Sequence, residues 1–116
     1  AMMPKLFAPI TTQRNQALAD RVRKMVLETD PVAIAAAHRG MAVRPDVSSL
    51  LPNLQVPTLV IVGEHDIISP PAEMKEIADA LPQGRFVQIL DAGHMAQMEN
   101  PIAVNLAIHE FFQESN

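Results

Sequence analysis

The sequence predicts an α/β fold in which a parallel strand–helix–strand unit follows a layer of helices. Two short apolar runs, Thr58–Val62 and Arg85–Leu90, flank a single helical pattern. The first run is apolar throughout apart from Thr58, which marks a strand covered on both faces, as in parallel sheets. Before residue 51 the apolar spacing is helical; after it, β-branched residues take over. The boundary is therefore expected near residue 51, between a helical segment over 1–50 and a sheet-bearing segment over 51–116.

Each element has its own local signal. Pro4 and Pro9 predict a loop or one short turn over residues 4–12. Residues 13–29 predict a helix, with Leu18, Val22, Met25 and Val26 on one stripe and Asp20 paired with Lys24 on the wet side. Asp30-Pro31 restarts a helix that runs to about Arg39, with Gly40 placed to end it or to let it pack closely. Ala33, Ile34, Ala37 and Met41 form its small-residue stripe, and His38 beside them is expected to be a partly buried packing residue, with a pocket wall as the alternative. Asp46 is positioned to cap a single turn reaching Leu50 or Leu51. After Pro70-Pro71, the spacing of Met74, Ile77, Ala78 and Leu81 predicts a helix. Asn100-Pro101 starts the last helix, with Val104, Ile108, Phe111 and Phe112 as its expected buried face.

The chemistry gathers where the strands end. A strand–helix–strand crossover is almost always right-handed, so both strands point the same way and their exits share one edge of the sheet. Ligands bind at that edge. Asp66 follows the first strand and His94 the second, each behind a glycine, Gly63 or Gly93, that frees the backbone to turn. A neutral imidazole accepts a proton from a nucleophile, and a carboxylate behind it fixes its tautomer and stabilises the imidazolium. Asp66 alone would more simply cap a turn. Glu64, His65, Asp66 and His94 together offer metal-ligating atoms but lack the tight two-histidine spacing of a metal site, so no metal is assigned. Met95 and Met98 are expected to pack, with lining of an apolar substrate cavity as the alternative, and Glu99 to anchor the loop or the last helix start; His109 is assigned no role.

Residues 57–66, Pro-Thr-Leu-Val-Ile-Val-Gly-Glu-His-Asp, then Pro70-Pro71, Asp91-Ala92-Gly93-His94 and Glu99-Asn100-Pro101, resemble the carboxyl-terminal part of the α/β-hydrolase fold superfamily. The resemblance is to esterases, enol-lactone hydrolases and carbon–carbon bond hydrolases, and its strong part covers residues 56–112. It implies a partial α/β-hydrolase core, the last two parallel strands with their helices, preceded by helices that resemble the end of the cap. It also implies that Asp66 is the acid and His94 the histidine of a catalytic triad, and that no cofactor is needed. The departure is equally plain. Such enzymes carry a nucleophile on a G-x-S-x-G elbow, or an Asp in dehalogenase-like and epoxide hydrolase relatives. Here Ser48, Ser49, Ser69 and Ser115 all lack glycine two residues away. The expectation is a carboxyl-terminal piece of a hydrolase of small-molecule esters, lactones or related carbonyl compounds, inactive alone. The alternative is a non-catalytic, self-associating module that has lost the rest of the site.

Composition narrows the partners. The 116 residues are 48% hydrophobic and carry a net charge of −4, and the nine Lys and Arg are scattered, which argues against nucleic acid and anionic membranes. No apolar run approaches the roughly 18 residues of a membrane span. The absence of cysteine fits a cytoplasmic protein. A two-stranded sheet leaves one edge of the first strand bare, which predicts a homo-oligomer or a missing amino-terminal half.

Overall fold

The computed structural model describes residues 3–114. Four helices come first: α1 (Met3–Leu6), α2 (Pro9–Arg14), α3 (Gln16–Glu28) and α4 (Pro31–Ala42). A 3-10 helix over Ser48–Asn53 leads into β1 (Thr58–Gly63), α5 (Pro71–Ala80), β2 (Gly84–Ile89), α6 (Ala96–Glu99) and α7 (Pro101–Glu114). The strands pair in parallel, from Thr58 opposite Gly84 to Gly63 opposite Ile89. Their sheet has two strands, so β1 has one unpaired edge among the described residues.

Alternation along the strands divides the core into two layers. On one face Val60 packs with Ala78 and Leu81 of the α5 region, backed by Met74, Phe86 and Leu51. On the other, Ile89 packs with Ala92, Ala96 and Val104, backed by Ile61 and Val87. Both faces are thus covered, as the unbroken apolar run required. A third cluster joins Phe7, Leu18, Ala19 and Val22 to Met95 and Met98, fastening the first helices to the chain just beyond β2. The two methionines pack, as expected.

Caps explain most helix starts. Asn15 accepts the Leu18 N–H at 3.1 Å, Asp30 the Val32 N–H at 2.9 Å and Asn100 the Ala103 N–H at 3.3 Å. Asp46 accepts both the backbone N–H and the hydroxyl of Ser48, which holds its carboxyl below the usual carboxylate range. Several expectations need correction. Residues 4–12 are not a loop: Pro9 sits at the first position of α2, where its missing N–H costs nothing. Asn15 then delays α3 to Gln16. Lys24 pairs with Glu28 rather than with Asp20, which instead accepts from Gln16. Gly40 lies inside α4 rather than at its end.

The helical stripes bury less than their spacing implied. Met25 and Val26 are exposed, α4 has no buried residue, and α7 buries Val104 and Ala107 while Ile108 and Phe112 face outward. The spacing correctly marks apolar faces, but the described residues provide no element to cover them. Total accessible surface is 8132 Å², against about 6,200 Å² for a compact monomer of this mass. The radius of gyration is 15.9 Å, against about 13 Å for a compact domain of this length.

Candidate active site

The site forms where the two strands end side by side. Beyond Gly63 the chain makes a tight turn, with the Asp66 N–H donating to the Gly63 carbonyl at 3.1 Å. The Asp66 carboxylate is then used at both oxygens. Oδ1 accepts the backbone N–H groups of Ile68 and Ser69, each at 2.9 Å, which fixes the loop leading to α5. Oδ2 lies 3.0 Å from Nδ1 of His94. The turn-capping and imidazole-holding readings of Asp66 are therefore compatible, because each uses a different oxygen.

Asp66 is buried, with 6% of its surface exposed, whereas the His94 side chain keeps 35%. An ionised carboxylate only accepts hydrogen bonds, so the contact with ionised Asp66 is a hydrogen bond when Nδ1 carries the proton, the tautomer in which a neutral ring presents a bare Nε2. That nitrogen is the atom a general base needs. Gly63, Asp66 and His94, with Ile61, Ala96 and Gln97, line a crevice of about 230 Å³. A second, larger cavity of about 890 Å³ is lined by Leu6, Val26, Ile34, His38, Ile67 and Ile68. His38 is exposed on its wall rather than packed in a core, which corrects the first expectation for it.

The glycines act differently from the sequence reading. Neither takes a left-handed conformation; Asp91 does, with φ 56°, and its N–H donates to the Glu64 carboxylate at 3.2 Å. Gly63 and Gly93 are required for space. A Cβ on Gly63 would lie 2.1 Å from the Gly93 carbonyl oxygen, and one on Gly93 would lie 2.6 Å from the Ala8 nitrogen. The segment before His94 is therefore sandwiched between the end of β1 and the leading segment. Sequence reasoning gave Glu99 a local anchoring role. In the fold its carboxylate reaches both the leading segment and the His94 loop, a span that sequence spacing cannot show.

The imagined metal quartet separates. Glu64, His65 and Asp91 bring one ligand-type atom each within 4.8 Å of one another, while Asp66 and His94 face each other in the crevice. Glu64 already ties the turn together through Asp91 N–H, and His65 and Asp91 are exposed.

The comparisons agree with this architecture. The family profile of the alpha/beta hydrolase fold matches residues 11–101. The chain belongs to the α/β-hydrolase fold family. This hydrolase-family chain superposes on a thermophilic esterase from Thermogutta terrifontis with a TM-score of 0.94 and 45% identity, over 98% of this chain and 42% of the esterase. It superposes on the enol-lactonase of Burkholderia xenovorans with a TM-score of 0.88 and 28% identity, over 97% of this chain and 42% of that one. BpoC of Mycobacterium tuberculosis, which carries the name non-heme bromoperoxidase, is 50% identical over 60 residues, 52% of this chain and 23% of that protein. The chain thus spans well under half the length of these relatives. The two-stranded parallel sheet with its helices is a partial α/β-hydrolase core.

Proposed function

We propose that this chain supplies the acid and the base of a catalytic triad to a larger hydrolase that cleaves small-molecule esters, lactones or related carbonyl compounds. The observation that carries this reading is the Asp66–His94 pair, 3.0 Å apart at the shared strand end, with the imidazole open to a crevice. In the proposed cycle a nucleophile from outside these residues gives its proton to His94 Nε2 as it attacks the carbonyl carbon. Asp66 balances the charge that forms on the ring. His94 then hands the proton to the departing alcohol, and a second round with water releases the acid and restores the nucleophile. No cofactor takes part. The esterase and enol-lactonase relatives support the substrate class. The apolar cavity lined by Ile34, His38, Ile67 and Ile68 is the proposed seat of the acyl group, because Ile67 and Ile68 directly follow Asp66. A cytoplasmic setting fits a chain without cysteine.

The same reading assigns the partner. β1, which lines the crevice through Ile61, Val62 and Gly63, has a bare edge among the described residues, and the chain exposes about 1,900 Å² more than a compact monomer would, well above the roughly 800 Å² that a standard interface takes from each partner. We take the occupant to be the amino-terminal part of a hydrolase, whose strand completes the sheet and carries the nucleophile and the oxyanion donors. A p-nitrophenyl ester assay tests this on the chain alone, on the chain co-expressed with the amino-terminal part of the Thermogutta terrifontis esterase, and on a His94→Ala control. Turnover confined to the mixture and abolished by the substitution is the expected result. Turnover by the chain alone overturns the reading. A stable homo-oligomer that neither binds the added half nor turns over ester would favour the non-catalytic module.

A further inference from the structure

Glu99 closes the four-residue helix α6, is only partly buried, and accepts three hydrogen bonds, two from the distant leading segment and one from the nearby His94 loop. Its Oε1 takes the Ala8 N–H and the Thr11 hydroxyl, each at 2.7 Å. Its Oε2 takes the Gly93 N–H at 2.8 Å. Gly93 immediately precedes His94. On the far side of the histidine, the Met95 N–H donates to the Leu6 carbonyl at 3.1 Å. The peptides flanking His94 are thus both tied to residues 6–11, one through Glu99 and one directly. Because Gly63 and the leading segment press on residues 92–93 from either side, the loop has little room to choose another path.

We propose that Glu99 is the positioning residue of His94. Asp66 holds the Nδ1 edge of the ring, and Glu99 holds the backbone from which the ring hangs, so the two carboxylates together set where Nε2 points. This rests on His94 being the base. The proposal also couples the leading segment to the site, since any displacement of residues 6–11 pulls on both peptides around the histidine. The chemistry requires a carboxylate. An amide has one accepting oxygen and one donating nitrogen, so Gln at this position would satisfy either Ala8 N–H or Gly93 N–H and set a donor against the other.

The test uses the full chain and needs no substrate. Amide hydrogen exchange and long-range proton–nitrogen spectra of His94 are recorded for wild type, Glu99→Gln and Thr11→Val. Glu99→Gln should raise exchange at Gly93 about tenfold or more while leaving Val60 and Val62 of β1 as protected as before. It should also broaden or double the His94 ring signals and lose the Nδ1 proton held by Asp66. A purely structural strut would speed the amide and leave the ring unchanged, and that outcome overturns the proposal, as does a Gln variant indistinguishable from wild type. If Glu99→Gln fails to fold, Thr11→Val, which removes one of the three donors and keeps side-chain volume, must still raise Gly93 exchange about threefold and broaden the His94 ring signals. No change there also overturns it. These readouts stand apart from turnover, so their failure would leave the hydrolase reading in place.

Discussion

Replacing Asp66 with Asn separates the structural role of this carboxylate from its proposed chemical one. The Asn carbonyl oxygen can still accept from Ile68 and Ser69, whose N–H groups now sit 2.9 Å from Oδ1. Its amide nitrogen then faces His94 Nδ1, which Oδ2 approaches to 3.0 Å. Two donors cannot share that contact, so Nδ1 must become the acceptor and the ring proton must move to Nε2. The fold loses the difference between charge-assisted and neutral hydrogen bonds, about 1–3 kcal/mol in all. Asp66→Ala leaves both loop N–H groups without their acceptor as well and should cost about 3–5 kcal/mol, close to the whole stability of a small domain. Urea unfolding of the two variants gives the stabilities, and long-range proton–nitrogen spectra of His94 give the tautomer. In a reassembled hydrolase the Asn variant should lose on the order of 10⁴ in kcat, because Nε2 no longer accepts a proton. An Asn variant whose ring keeps its proton on Nδ1 would refute the reasoning, and so would one as destabilised as the Ala variant.

Gly63→Ala should cost about 3 kcal/mol or more, because its Cβ would meet the Gly93 carbonyl oxygen at 2.1 Å and Ala92 backbone atoms just beyond; calorimetry would show the fall in Tm. Gly40→Ala should do the reverse, stabilising the protein by about 0.5–1 kcal/mol in urea unfolding, since it lies within α4 with nothing within 4 Å of the added carbon. Ser48→Ala should move the Asp46 pKa part of the way back up, by removing the hydroxyl that heads the causes of its lowering. With a depressed folded value, any stabilisation from Asp46 is present above the ordinary carboxylate pKa and fades as pH falls through the lowered one; a carboxyl carbon titration by NMR follows it directly.

The strands, the crossover and the Asp66–His94 meeting were legible because each depends on short-range signals. Val60 and Ile61 alternate toward two different layers, and an apolar run that must be covered on both faces implies a helix on each side. The parallel connection then brings the strand exits together without any knowledge of side-chain contacts. The helices were less legible in what they bury. Spacing marks an apolar face on α3, α4 and α7, yet only Leu18, Ala19 and Val22 of α3 and Val104 and Ala107 of α7 find cover. Burial depends on what lies opposite, and the described residues place nothing against the rest. The glycines were misread for a related reason. Composition shows that Gly63 and Gly93 are small but not whether the turn needs their dihedral freedom or their missing Cβ, and only the packed loop distinguishes the two.

An incomplete hydrolase core can still hold a well-formed carboxylate–imidazole pair because the pair is secured by contacts within these residues. Asp66 is fixed by two N–H groups of its own loop, and the His94 loop is fixed by Glu99, Leu6 and the end of β1. None of these ties crosses the bare edge of the sheet. The crevice onto which the ring opens is lined in part by Ile61, Val62 and Gly63 of β1. The division follows from the chemistry: aligning an imidazole needs rigid local hydrogen bonds, whereas attack on a carbonyl needs a nucleophile and oxyanion donors arriving from the opposite side. On the proposed function, a partner strand added at β1 would find the imidazole already oriented. Assembly would then need to supply position rather than reorganise the pair, which is why the Asp66–His94 contact should be present in the isolated chain even though turnover should not.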